Sequence, residues 1–201
     1  MDFKLFDNYS IRPAEDVKEF GNFFSQNRPE IFSDNVDLKL PDLLTDLEKT
    51  NIKELATSFG TPYKLRMYIL HGGEKIGWVL GEQKDAETFY MINTAIFKQH
   101  QNKGIYTSLL PVILNILKEK GFQKVYSRHT ATHNQVIIPK LRQGFVITAF
   151  ELSDMFGVLI HLTYYFNESR KKVIKFRAGQ LQPDKELRKA LSLFDDQIND
   201  S

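Results

Sequence analysis

Cysteine is absent from the chain, and with it go disulfides, thiolate nucleophiles and cysteine-ligated zinc. A reducing cytoplasm fits that absence. An excess of one charge is also missing. The 27 Lys and Arg stand against 25 Asp and Glu, a formal net charge of +2, which is not the footprint of a dedicated nucleic-acid binder. No apolar run approaches the roughly 20 residues that span a bilayer, and the opening Met1-Asp2-Phe3-Lys4-Leu5-Phe6 lacks the apolar core of a signal peptide. Internal repeats and low-complexity tracts are absent too. Together these absences point to a soluble, cytoplasmic protein with no membrane partner.

What is present suffices for one packed core. The 201 residues are 42% hydrophobic and 12% aromatic, the upper end of a single ordinary domain. Tyr9 to Pro13 reads as a short strand, and Val17, Phe20, Phe23 and Phe24 recur at helical spacing after Asp16. A second helix is predicted from Pro41 to Phe59, with Gly60 as its stop. Leu65 to Leu70 and Glu74 to Leu80 read as a hairpin turned at His71-Gly72-Gly73. In Thr88 to Phe97, Phe89, Met91 and Ala95 alternate with Tyr90, Ile92, Thr94 and Ile96. Both faces are largely apolar, as in a central strand.

A polar turn follows, then an amphipathic helix from Ile105 that Gly121 closes. Gln123 to Arg128 reads as a strand and Asn134 to Gln143 as a short helix ended by Gly144. Phe145 to Leu152 and Val158 to Phe166 form a second hairpin. Pro111 and Pro139 predict kinks or late helix starts in their segments. The charged, helical stretch 167–201 reads as an extension beyond a domain at 1–166.

The turn Gln101-Asn102-Lys103-Gly104-Ile105-Tyr106-Thr107 carries the chemistry. Free amides at a helix start point outward, the helix dipole favours negative charge, and Gly104 permits close approach of a phosphate to the main chain. Lys98 and Lys103 add cationic charge. By the local physics alone, an ordinary strand-to-helix connection is the better description of this turn.

The sequence resembles the GNAT family of acetyl-coenzyme A dependent N-acetyltransferases. Its cofactor motif is Gln or Arg, two variable residues, Gly, one variable residue, then Gly or Ala. Here it reads Gln101, Asn102-Lys103, Gly104, Ile105, Tyr106, with Tyr106 in the small-residue slot. The resemblance covers the order of elements from about Tyr63 to Phe166. It implies an α+β fold: a central, mostly antiparallel twisted sheet of about six to seven strands flanked by helices. It further implies that the main chain of Thr94 and Ile96 pairs with pantetheine amides, and that Asn134 faces the pantetheine arm. Asparagine also suits a helix N-cap, so that residue carries two readings.

An amine acceptor must lose a proton before it attacks a thioester, because a lysine-like amine titrates near 10.4. Many family members place a tyrosine as general acid four residues before a Gly-Phe pair; Lys140 stands there, before Gly144-Phe145. Tyr106 and Tyr126 are substitutes by residue type. His129, after the strand that borders the implied cleft, is the preferred base with a pKa near neutrality, beside His133. Its plain alternative is a loop histidine bonded to backbone or solvent. No third ligand accompanies the histidines, so no metal is expected. Glu151 and Asp154 are carboxylates that suit a cationic acceptor amine.

The function implied is transfer of an acetyl group from acetyl-CoA to a primary amine of a small molecule or protein. The alternative is a non-catalytic acyl-CoA-binding module of the same fold. A third reading, RNA binding through Arg170, Lys171, Lys172, Lys175 and Arg177, is disfavoured by the balanced charge. The apolar run Leu159 to Phe166 suggests strand pairing across a homodimer axis.

Overall fold

The structure is a computed structural model that describes residues 2–32, 45–47, 49–50 and 60–190. The helix predicted from Pro41 to Phe59 lies largely outside the described residues. Eight strands form one sheet: β1 (Phe3–Phe6), β2 (Tyr9–Pro13), β3 (Lys64–His71), β4 (Glu74–Gln83), β5 (Thr88–Ile96), β6 (Lys124–Thr130), β7 (Val146–Ser153) and β8 (Gly157–Tyr165). The helices are α1 (Val17–Ile31), α2 (Ile105–Glu119), α3 (Asn134–Arg142), α4 (Glu168–Arg177) and α5 (Lys185–Ala190). Strand order is β1-β2-β3-β4-β5-β6-β8-β7, and every neighbouring pair is antiparallel except the parallel β5 and β6. The architecture is the expected mixed α+β one, with eight strands rather than six to seven. The strand not predicted is β1, whose Phe3 and Leu5 pack on the core while Lys4 faces solvent.

Alternation on the strands builds two cores. One face of the sheet packs under α2 and α3, joining Met67, Ile69, Val79, Phe89 and Met91 to Leu109, Ile113, Leu117 and Ile137. On the opposite face, Phe20 of α1 packs with Tyr68, Leu70, Trp78 and Ala95. Asp16 starts α1 by accepting from the amides of Lys18 (2.7 Å) and Glu19 (3.1 Å). Pro111 and Pro139 lie inside α2 and α3, which begin well before them. No late start occurs, because apolar burial on either side of Pro111, at Leu109, Leu110, Ile113 and Leu114, holds the segment helical despite one lost bond.

A bulge corrects the simple alternation expected of β5. Leu80 pairs with Asn93 and Gly81 with Met91, so Ile92 is an extra residue. Met91 therefore enters the α2/α3 core while Ala95 enters the other, although an unbroken strand would put both on one face. A second correction concerns strand pairing between copies. β8 lies between β6 and β7, so its ladder is taken on both sides and the free edges of the sheet are β1 and β7.

The extension is tied to the sheet. Arg170 of α4 pairs with Glu87 at 2.8 Å, and Leu187 of α5 is buried. No helix among the described residues is long and apolar enough to cross a membrane.

Candidate active site

Between β5 and α2 the chain makes a short 3-10 turn at Lys98–His100, then passes through two left-handed residues, Asn102 (φ 59°) and Gly104 (φ 79°). Asparagine and glycine are the types that tolerate this conformation. Gly104 caps α2, and no side chain bonds the amides of the first helical turn. The N–H groups of Ile105, Tyr106 and Thr107 thus emerge at the positive end of the helix dipole, an arrangement ready for an anion. A Cβ at Gly104 would meet nothing within 4 Å, so the space beside the turn is open. Gln101 folds back, its Nε2 donating to the Ile96 carbonyl at 2.8 Å. Lys103 is exposed, and His100 accepts or donates at Nδ1 to the Tyr9 hydroxyl at 3.2 Å. Burial, then Lys103 and His71, hold His100 below its ordinary pKa.

Along β5 itself, a fork with β6 opens toward this turn. Their parallel ladder comprises Thr88 with Lys124, Phe89 with Val125 and Tyr90 with Tyr126, and no more. Beyond it β6 stays paired to β8 as far as Thr130, while β5 stays paired to β4 as far as Ile96. The bulge at Ile92 falls where the two strands part, which is where a bulge adds twist and ends pairing. The Phe97 amide donates to the Ile76 carbonyl at 2.8 Å. The two-residue period of the ladder therefore turns the peptide groups of Asn93 and Ala95 toward β4, and those of Thr94 and Ile96 toward the gap. An extended, amide-bearing chain lying in the gap would find these groups as a strand edge.

Two polar clusters flank the fork, one on each face of the sheet. On the α3 side, Lys140 is 1% exposed. Its Nζ donates to Ser127 Oγ at 2.6 Å, lies 3.7 Å from Met91 Sδ and stands over the Phe145 ring. Ser127 Oγ is also 3.1 Å from His129 Nε2. Burial lowers Lys140 to about 7. Burial first, then the charges of Lys140 and His133, lower His129 to about 2. The near-neutral histidine expected at 129 is thus not found: desolvation disfavours its charged form.

On the opposite face, Tyr126 meets His161 Nδ1 at 3.1 Å, and His161 Nε2 meets Glu151 at 2.6 Å. Arg128 grips Glu151 with bonds of 2.9 and 3.1 Å and reaches the Tyr90 hydroxyl at 3.3 Å. Arg128 first, and His161 after it, hold the Glu151 carboxyl below its ordinary range. Burial raises the Tyr126 phenol, an effect that Arg128 opposes. His161 escaped the sequence reading. The signal available was a lone imidazole in the apolar strand Gly157–Tyr165, across a hairpin from Glu151.

Of the other sequence candidates, Tyr106 packs against the α2/α3 core, and burial pushes its phenol well above the ordinary range. That is opposite to what a proton donor at neutral pH requires. Asn134 is the first residue of α3, with His133 at the cap and no capping side chain, so its N-cap reading does not hold. Asp154 lies in the β7–β8 turn. Among the described residues no group of His, Asp and Glu converges as a metal site. A cleft of about 480 Å³, lined by Arg12, Asp16, Glu19, Tyr68 and Lys75 among others, lies on the α1 side and includes no residue of the turn or fork.

The family model described as Acetyltransferase (GNAT) family matches residues 29–145. The chain belongs to the GNAT acetyltransferase family. That span takes in the turn, the fork and Lys140, and solved GNAT structures share the fold at low identity. A GNAT family acetyltransferase from Elizabethkingia anophelis with acetyl-CoA bound is 21% identical, with TM-score 0.51 over 80% of this chain and 100% of that one. Ribosomal-protein-S5-alanine acetyltransferase from Vibrio fischeri is 13% identical, with TM-score 0.60 over 84% and 98%. A GNAT acetyltransferase from Streptococcus pneumoniae is 17% identical, with TM-score 0.57 over 79% and 99%. A search of curated proteins found no match.

Proposed function

We propose that this GNAT chain is a cytoplasmic, acetyl-CoA dependent N-acetyltransferase acting on a primary amine of a small molecule or protein. One observation carries the reading: a single strand, β5, borders a gap that opens after Tyr90 and runs along it to an anion-ready helix start just beyond its C-terminal end. The residues fit the donor. The first-turn amides and the turn Gln101 to Thr107 hold the diphosphate, with Lys103 adding charge. Thr94 and Ile96 offer their main chain to the pantetheine arm, and Asn134 flanks it from the start of α3. The Ile96 carbonyl is already taken by Gln101, so the free groups are its amide and both peptide groups of Thr94. The bound donor supplies an acyl carbon activated as a thioester.

The acceptor amine approaches from the face bearing Tyr126, His161 and Glu151. With the proton of His161 on Nε2, toward Glu151, its Nδ1 can accept from the Tyr126 hydroxyl as that oxygen takes a proton from the amine. Glu151 then balances the imidazolium, and Arg128 keeps Glu151 ionised and in place. His129 is assigned a supporting role at Ser127 rather than that of base. The catalytic domain is 1–166, with α4 and α5 as an extension, and a homodimer, if formed, would use the β7 edge.

The test is incubation with acetyl-CoA and a panel of amines, read as free thiol. Amine-dependent thiol release supports the transferase. Calorimetric binding of acetyl-CoA with no turnover on any amine supports the non-catalytic module instead. Absence of affinity for any coenzyme A species refutes both.

A further inference from the structure

Lys140 is a cation buried without an anion. Among the described residues its ammonium meets one hydroxyl oxygen (Ser127), one thioether sulfur (Met91) and one ring face (Phe145), and no carboxylate. A thioether is a weak acceptor, so at least one of the three donors is poorly satisfied in a site with almost no access to water. Uncompensated burial of this kind is expensive and is retained where something else completes the site.

Its location says what completes it. The β5–β6 ladder ends at Tyr90 and Tyr126, and the two atoms that Nζ touches belong to the very next residues, Met91 and Ser127. The ammonium therefore stands at the apex of the fork. From Ile96 to Met91 an extended strand runs roughly 16 Å, which matches the reach of an extended pantetheine arm whose phosphate end sits at the Gly104 turn. The far end of that arm is sulfur. Met91 already presents a sulfur there, on a flexible side chain able to swing aside.

We infer that the apex is a thiolate site, in which the Lys140 ammonium binds the sulfur of free coenzyme A in its ionised form and so favours the free thiol over its acyl thioester. The inference rests on the coenzyme A reading above and adds to it a preference between product and substrate. A thioester sulfur carries no charge and gains little from the ammonium, whereas a charge-assisted contact in a dry site is worth about tenfold or more in affinity.

The pair needs a charged amine and an ionised thiol. Its preference is therefore greatest between the lysine value of about 7 and the ordinary thiol value of about 8.5, and falls on either side. The groups facing Nζ are Ser127, Met91 and Phe145, with His129 one bond further away and held neutral.

The experiment is calorimetry on the full chain with coenzyme A, acetyl-CoA and S-methyl coenzyme A, together with the ultraviolet thiolate band of bound coenzyme A. Coenzyme A is expected to bind about tenfold more tightly than either capped form and to show the band when bound near pH 7.5. Lys140→Met is expected to abolish the band and bring the three affinities within about threefold, with acetyl-CoA binding retained. Equal affinities in the wild type, or a thiolate band that survives in Lys140→Met, overturn the inference and leave the transferase reading intact. If none of the three ligands binds, the coenzyme A reading fails and this inference with it. The wild-type comparison across ligands decides the matter even if the variant does not fold.

Discussion

Replacing Lys140 with methionine should stabilise the ligand-free chain at neutral pH, by an amount that shrinks as the pH rises. In the folded chain burial lowers the lysine from 10.5 to about 7, and unfolding returns it to about 10.4. Below about 7 the amine is protonated in both states and the full penalty of burying the charge is present. Between the two values the unfolded chain binds more protons, so wild-type stability climbs with pH; above about 10.4 the penalty is gone. At pH 7 the penalty is roughly 4 kcal/mol, an upper figure because the site relaxes, and it falls by roughly 2 kcal/mol by pH 9. Methionine is unbranched, adaptable and of similar length, so it leaves little cavity or strain of its own.

The assay is urea denaturation of both proteins at pH 7, 8 and 9. Titrating groups that do not feel Lys140 contribute alike to the two and cancel in the difference; His129 does feel it, but burial is the larger cause of its lowered pKa and keeps it neutral in both folded proteins over this range. The gap between variant and wild type is expected to close by roughly 2 kcal/mol across that range. Parallel stability curves would refute the reasoning: they would mean that the ammonium is hydrated, and the fork apex is then no place for a desolvated ion pair.

Gly104→Ala places a side chain in left-handed backbone at φ 79° with open space around it, so its cost of about 1–2 kcal/mol is conformational; calorimetry should show acetyl-CoA affinity weakened about tenfold as the helix start shifts. Gly77→Ala would set a Cβ 2.2 Å from the Ala95 carbonyl oxygen, forcing β4 from β5, and thermal denaturation should register a loss of about 1–3 kcal/mol or more. Asp16→Ala removes the α1 cap and should lower stability by about 1 kcal/mol, with no change in coenzyme affinity. Glu151→Gln keeps the shape but not the charge that holds Arg128 and His161, so amine-dependent thiol release should fall about tenfold or more while acetyl-CoA affinity stays within about threefold.

The parts of this protein that could be read in advance are those whose cause is local. Gly72 and Gly73 make a hairpin turn from their own backbone freedom, and both sit at positive φ. Gly104 before an amphipathic run marks a helix start that leaves its amides free. The four-residue strand β1 escaped because so short a segment declares itself only against the Tyr9–Pro13 strand it pairs with. The bulge at Ile92 escaped because an apolar strand reads the same with or without an extra residue; only its pairing with Leu80 and Gly81 exposes it.

Lys140 is the sharpest case. In sequence it is a departure from a tyrosine, and nothing in the neighbouring Pro139 or Leu141 says whether it points to water. In the fold, helix α3 carries it to the junction of two strands that are distant in sequence, where Met91 and Ser127 meet it. Burial changes the meaning of the residue: an exposed lysine there would be an ordinary surface cation, whereas a dehydrated one without a carboxylate is destabilising until an anion arrives. The chemistry of the fork therefore turns on contacts between residues 49 or 13 positions apart, Lys140 with Met91 and Lys140 with Ser127, separations at which residue type no longer foretells surroundings.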